Sequence, residues 1–323
     1  MGARGERGYG GAMAFEVGSP TAPVQVSQRR PRLLLRVAAA ALLAAALAVL
    51  RSDVARAVEA GLARVHPLVV DAVRAATAAG LRGWAVRRAG PFAVYYLPGD
   101  GRDAAVAAAA VARLWPEVAR DFDLAPDAGH GVVVVAPPAT MARVGGTPRA
   151  DPPLGAYADG VVWLLAPSAA LGPDPTVAAY VRSGTVAHEL THLADDLVAD
   201  GRTPAWLDEG LAQYEAWRLT GYVWQPPAAE LAGPPYPWAE LTRDWARLPD
   251  VALAYRQALE ATAAVCRARA GACLAVLRDL RDGWSVEAAV AAAAGHETLA
   301  RLEAGAAWSG PPPAPGGPAG PPP

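Results

Sequence analysis

Ala187-His188-Glu189-Leu190-Thr191-His192-Leu193 contains the pattern H-E-x-x-H. On a helix, residues four apart lie one above the other, so both imidazoles project from one face. That geometry lets two nitrogens share a tetrahedral zinc, with Glu189 beside them on nearly the same side. A zinc held in this way polarises a bound water, and an adjacent carboxylate can take that water's proton.

The flanking residues specify the helix. Val186, Leu190, Leu193 and Leu197 form one stripe at helical spacing, while His188 and His192 point roughly the opposite way. One side of the helix therefore packs on a core and the other lines a cleft. Asp200-Gly201 reads as its stop. Thr203-Pro204 reads as the next start, with Thr203 as N-cap and Pro204 at the first helical position. The second helix, from Ala205 to about Arg218, carries Trp206-Leu207-Asp208-Glu209-Gly210-Leu211-Ala212-Gln213-Tyr214-Glu215. Folding the two helices back about Asp200-Gly201 brings His192 and Glu209, nearly equidistant from that turn, to about the same height. Glu209 is then the natural third ligand, and the fourth position is left for water or substrate.

Together, H-E-L-T-H and the downstream W-L-D-E-G-L-A-Q-Y resemble the gluzincin metallopeptidases. Within these, the chain is most similar to the bacterial peptidase MA-like group, whose third ligand is the Glu of a W-L-x-E-G-x-A motif. The resemblance covers roughly Pro91 to Ala306. It implies zinc on His188, His192 and Glu209, with Glu189 as general base. It departs at one position. Thermolysin-like relatives place an Asp four residues after the third ligand to orient a zinc histidine, and this chain has Gln213 there. An amide can accept an imidazole N–H but does not raise ligand basicity as a carboxylate does. The departure bears on catalytic strength rather than on metal binding.

Composition excludes some classes. The net charge of −2 over 323 residues gives no electrostatic pull toward nucleic acid, and none is expected as a partner. The chain has no Lys, Asn or Ile, and all 29 basic residues are Arg. This is the mark of GC-rich coding, so the alanine-swollen hydrophobic fraction says little about function, and most Ala-rich runs read as helix filler.

Residues 1–32 read as a disordered cytoplasmic N-terminus carrying Arg29, Arg30 and Arg32. Residues 33–50, with Arg36 and the apolar run Val37–Leu50, read as a transmembrane anchor or a signal sequence, and an uncleaved anchor is preferred. That would place the catalytic domain outside the cytoplasmic membrane, in a single-pass protein, with secretion as the alternative. Residues 51–88 read as a helical linker, 89–306 as the zinc metallopeptidase domain and 307–323 as a disordered Pro/Gly-rich tail. Strands are expected at Phe92–Leu97, Gly131–Ala136, Gly155–Tyr157 and Val161–Leu165, with a helix over Arg102–Asp121. In gluzincins the strand bordering the cleft pairs with an extended substrate backbone. Val161–Leu165 is the candidate for that edge, with an interior strand as the competing reading. Later helices are expected at Val251–Ala270, Ala272–Asp282, Ser285–Ala294 and Leu299–Ala306. The fold class is therefore α+β: a small mixed β-sheet subdomain followed by a mainly α-helical zincin-like subdomain, with an N-terminal membrane segment.

Four lesser features complete the reading. Tyr255, in Ala254-Tyr255-Arg256-Gln257, matches the position of an A-Y-x-x motif in the resembling family. A phenol there could donate to a developing oxyanion, or could simply pack at a helix interface. Five of the ten Trp lie between Trp206 and Trp245, and packing of loops onto the core is favoured over substrate subsites. Cys266 and Cys273 can bridge only if the chain turns at Gly271. His66, His130 and His296 have no spaced partner, and no role in the chemistry is expected of them. The function expected is a zinc-dependent metallopeptidase acting on a peptide or protein substrate. A catalytically weak or inactive metal-binding module, and a zinc hydrolase of a non-peptide amide or ester, stay open as alternatives.

Overall fold

A computed structural model describes residues 52–128, 131–144, 152–224, 233–243 and 245–304. The first long helix, α1 (Ser52–Gly80), leads into two antiparallel strands, β1 (Ala85–Ala89) and β2 (Phe92–Tyr96). Helix α2 (Gly101–Asp121) then crosses to β3 (Val132–Ala136), which runs parallel to β2, as strands joined through a helix can. After the short α3 (Pro138–Met141), β4 (Gly155–Ala158) and β5 (Val161–Leu165) form a hairpin. Its turn residues, Asp159 and Gly160, both have positive φ (48° and 84°), the form whose twist matches that of paired strands. The sheet order is β1-β2-β3-β5-β4, with β3 and β5 parallel.

Alternation along the strands sorts the sheet into two faces. Phe92, Val94, Val133, Val135, Val162 and Leu164 join a core that includes Trp115 of α2, Leu190 and Leu193, Trp206 and Leu207, and Val290. On the other face Val132, Val134, Val161 and Leu165 pack with Met141, Leu81 and Val73 of α1. Both faces are covered, which is why β3 is apolar at every position.

The rest of the described chain is helical. Two short helices, α4 (Pro167–Leu171) and α5 (Val177–Arg182), precede α6 (Thr185–Ala199) and α7 (Ala205–Thr220). There follow α8 (Trp238–Arg243), a single 3₁₀ turn at Trp245–Arg247, α9 (Val251–Ala268), α10 (Ala272–Arg281), α11 (Val286–Ala294) and α12 (His296–Glu303). Helix α9 stops at Arg269, whose backbone is extended, and α10 starts after Gly271 in the left-handed region. That break brings the Cα atoms of Cys266 and Cys273 to 4.9 Å, and the two are disulfide-bonded.

The expected fold class needs correction. The α+β character and the small mixed sheet are present, but among the described residues no helix is long and apolar enough to cross a membrane. The run at 33–50 that prompted the membrane expectation lies outside the described residues, as do 1–32 and 307–323. Nor do sheet and helices follow one another as separate bodies, because one contiguous apolar core takes residues from both. The sheet also begins at Ala85, inside the stretch expected to be a helical linker. Val161–Leu165 is an interior strand, paired on both sides, and β4 is the edge.

Candidate metal centre

Helices α6 and α7 are antiparallel neighbours because the chain reverses at Asp200 and Gly201, whose φ values are 50° and 68°. Thr203 does not cap α7. Pro204 occupies the N-cap, and the Thr203 hydroxyl donates instead to Asp195 Oδ1 at 2.9 Å. Along α6, Val186, Leu190 and Leu193 are fully buried on the core side, and His188, Glu189 and His192 reach the cleft. The reversal brings Glu209 opposite them, as equal rise from the turn requires.

The three expected ligands converge. Glu209 Oε2 lies 3.4 Å from His188 Nε2 and 3.7 Å from His192 Nε2, and the three donor atoms lie within 4.8 Å of one another. Bonds of about 2.0–2.1 Å in a tetrahedron separate ligand atoms by about 3.4 Å, so this spacing suits zinc. Glu209 Oε2 is buried and has no hydrogen-bond partner. A buried carboxylate oxygen left without a donor, facing two imidazole nitrogens, is the state expected of an atom that takes a cation. The residues present therefore fit the metal.

Electrostatics point the same way. Burial alone would lower the His192 imidazole, but Asp208, Glu209 and Glu189 outweigh it and push it up to about 10. Burial would raise Glu209, yet His188, His192 and the Tyr255 hydroxyl hold it below the usual carboxylate range. Burial lifts Glu189 to about 7 against the pull of both imidazoles, with Glu209 and Asp208 adding to the rise. A cluster of carboxylates that keeps an imidazole charged is a cluster that attracts positive charge.

Two further residues shape this site. His192 Nδ1 pairs with Asp208 Oδ1 at 2.5 Å, which leaves Nε2 facing Glu209 and fixes how the ring is presented. The carboxylate that the sequence seemed to lack at Gln213 is thus supplied by Asp208. Gln213 instead ties α7 to α9, its Nε2 donating to the Tyr255 carbonyl at 2.9 Å and the Glu209 carbonyl at 3.3 Å. Gly155, on edge strand β4, lets that strand pass against the Glu189 carboxyl, because a Cβ there would stand 2.5 Å from Glu189 Oε1.

Tyr255 is 1% exposed, packed edge-on against Trp224, and its hydroxyl bonds the Glu209 carboxylate. It stands in the wall of the site, braced against Glu209. The cleft measures about 760 Å³ including its open mouth. One wall is β4 with Leu154, and the other is Ala216, Tyr222, Val223, Trp224 and Leu259. Trp206, Trp217, Trp224, Trp238 and Trp245 are all buried, in line with packing, and only Trp224 of the five reaches the cleft. Asp208 and Gly155 are the site residues that the sequence reading passed over. Asp208 was in plain view beside Glu209, whereas nothing near Gly155 in the chain announces its neighbour. No protein-family model matches the chain, and no curated protein is significantly similar to it.

Proposed function

We propose that the chain is a zinc-dependent metallopeptidase, with zinc on His188, His192 and Glu209 and with Glu189 as general base. The observation that carries this reading is the convergence of the three donor atoms beside Glu189, on a cleft bordered by a sheet edge. Zinc bound there would supply a Lewis acid that makes a water acidic enough to ionise near neutrality. Glu189, packed between β4 and the ligands, takes the proton at its carboxylate and returns it to the leaving amine. Strand β4 offers its free edge to an extended peptide. Pairing of that kind recognises main chain and tolerates varied side chains. Asp208 keeps His192 Nε2 toward the metal, and Tyr255 keeps Glu209 in place. To serve a developing oxyanion, the Tyr255 hydroxyl would have to leave Glu209.

The test is a paired measurement on Glu189→Gln. Zinc content by elemental analysis should stay near one per chain, while hydrolysis of a mixed peptide library should fall by on the order of 10³-fold or more. His192→Ala and Glu209→Ala should each lose the metal. Full hydrolysis by Glu189→Gln would overturn the assigned base, and zinc retained without Glu209 would overturn the ligand set.

A further inference from the structure

Helix α1 reaches the back of the metal centre. His66 is 5% exposed, and its Nε2 meets Asp196 Oδ1 at 2.5 Å. The other oxygen of Asp196 accepts the Tyr157 hydroxyl. Tyr157 is 4% exposed, and its oxygen also accepts the backbone N–H of Gly160 at 2.9 Å. Its ring lies over the His192 imidazole, with centroids 6.2 Å apart and planes inclined by 24°. Four elements (α1, α6, and both strands' ends at the β4–β5 hairpin) are therefore joined in one buried chain of contacts that stops at a metal-ligand ring.

The docking of α1 is specific at this point. Gly201, in the α6–α7 turn, lies so close to His66 that a Cβ would stand 2.7 Å from the imidazole Cε1. A second tether from α1 reaches the same hairpin: Arg74 Nε donates to the Gly160 carbonyl at 3.1 Å. An α1 that served only to cover the sheet would need apolar contacts such as Val70 and Val73. It would have no reason to bury an imidazole against an aspartate that in turn restrains a tyrosine of the cleft wall.

We propose that His66 is a positioning residue for the metal centre, acting on His192 through Asp196 and Tyr157. With His66 in place, both Asp196 oxygens are committed and the Tyr157 ring has one position. That ring, stacked against His192, limits the tilt of the imidazole. Because Tyr157 also belongs to β4, the same contact sets the position of the strand that borders the cleft. The inference rests on the reading of His188, His192 and Glu209 as a metal site.

The experiment uses the full chain and titrates Zn²⁺ against a chromophoric chelator, with Co²⁺ absorption as the spectroscopic readout. His66→Ala should weaken metal binding by about 10-fold, the low end for residues that orient a ligand, and should alter the cobalt spectrum. Tyr157→Phe should do the same, and the double variant should not be additive. His66→Gln, whose amide can still donate to Asp196, should recover most of the loss. Val73→Ala, which loosens the apolar packing of α1 on the sheet without touching this chain of contacts, should lower the melting temperature but leave metal affinity within about two-fold. Wild-type metal affinity and cobalt spectrum in a folded His66→Ala would overturn the proposal, as would an equal loss in Val73→Ala. If the wild-type protein takes up neither metal, the metal reading itself fails. The positioning role is then read from the His192 ring resonances of the metal-free protein, which His66→Ala should move and Val73→Ala should not. Resonances that stay in place would overturn it.

Discussion

Asp208 and Glu209 are neighbours on α7, yet their carboxylates serve opposite nitrogens of one imidazole. Removing Asp208 frees the His192 ring to rotate and strips the Nδ1 proton of its acceptor. Asp208→Ala should therefore weaken zinc binding by about 10–100-fold, measured by competition titration, while leaving the fold intact. The convergence of His188, His192 and Glu209 beside Glu189 was legible in the sequence because helical spacing and a single reversal place them, and both are local properties. Asp208 was not read because the search for an orienting carboxylate went to position 213, where the resemblance puts it. Gly155 and Tyr157 could not be read at all, since what makes them matter is a contact with α6 through the folded core. His66 belongs with them: without a spaced partner it reads as a bystander, and its partner lies 130 residues away.

Helix α7 is held in place by its closeness to α9. Gly210 faces Ala258, and a Cβ there would come within 2.5 Å of the Ala258 carbonyl oxygen and strike the Thr262 hydroxyl. Gly210→Ala must push the two helices apart, at a cost of about 1–3 kcal/mol, and the adjacent Glu209 moves too. The expected outcome is a lower melting temperature together with weaker zinc binding, followed by calorimetry with and without metal. The long helices were legible from their apolar stripes and stops, as at Ala199–Gly201 and Ala268–Gly271. The identity of the edge strand was not. Strand order depends on pairing between distant segments, although the composition carried a hint: Val161-Val162-Trp163-Leu164-Leu165 is apolar throughout, as a strand paired on both sides should be. Strand β1, Ala-Val-Arg-Arg-Ala, carries too little β-forming character to stand out from the alanine-rich helix before it.

Taken as one body, the protein places an unusual amount of acid inside. Asp195 is 3% exposed, accepts from Thr203, and is raised well above the ordinary carboxylate value by burial, by Asp208 and by Asp196, with His192 pulling the other way. Its folded value lies above its unfolded one. The stability it contributes is therefore fully present below about pH 4 and is lost as pH rises through the folded value. Asp195→Asn keeps the acceptor for Thr203 and removes the titration. In chelator, its melting temperature should match the wild type near pH 4 and exceed it increasingly toward pH 8, as thermal scans across that range would record. Composition reported how many acids the chain has and was silent on which of them the fold would bury.

The two margins of the sheet are unlike each other. β1 carries Arg87 and Arg88, charges that discourage a foreign strand from joining. β4 carries no charged residue, and Gly155, Ala156 and Tyr157 line the cleft with His188, His192 and Glu209. On the proposed function, a chain that adds to this sheet at β4 would arrive beside the residues proposed to cut it. The same margin is where two copies would meet if they joined sheet to sheet. On the proposed function, such a pair and a substrate peptide would compete for one row of backbone groups.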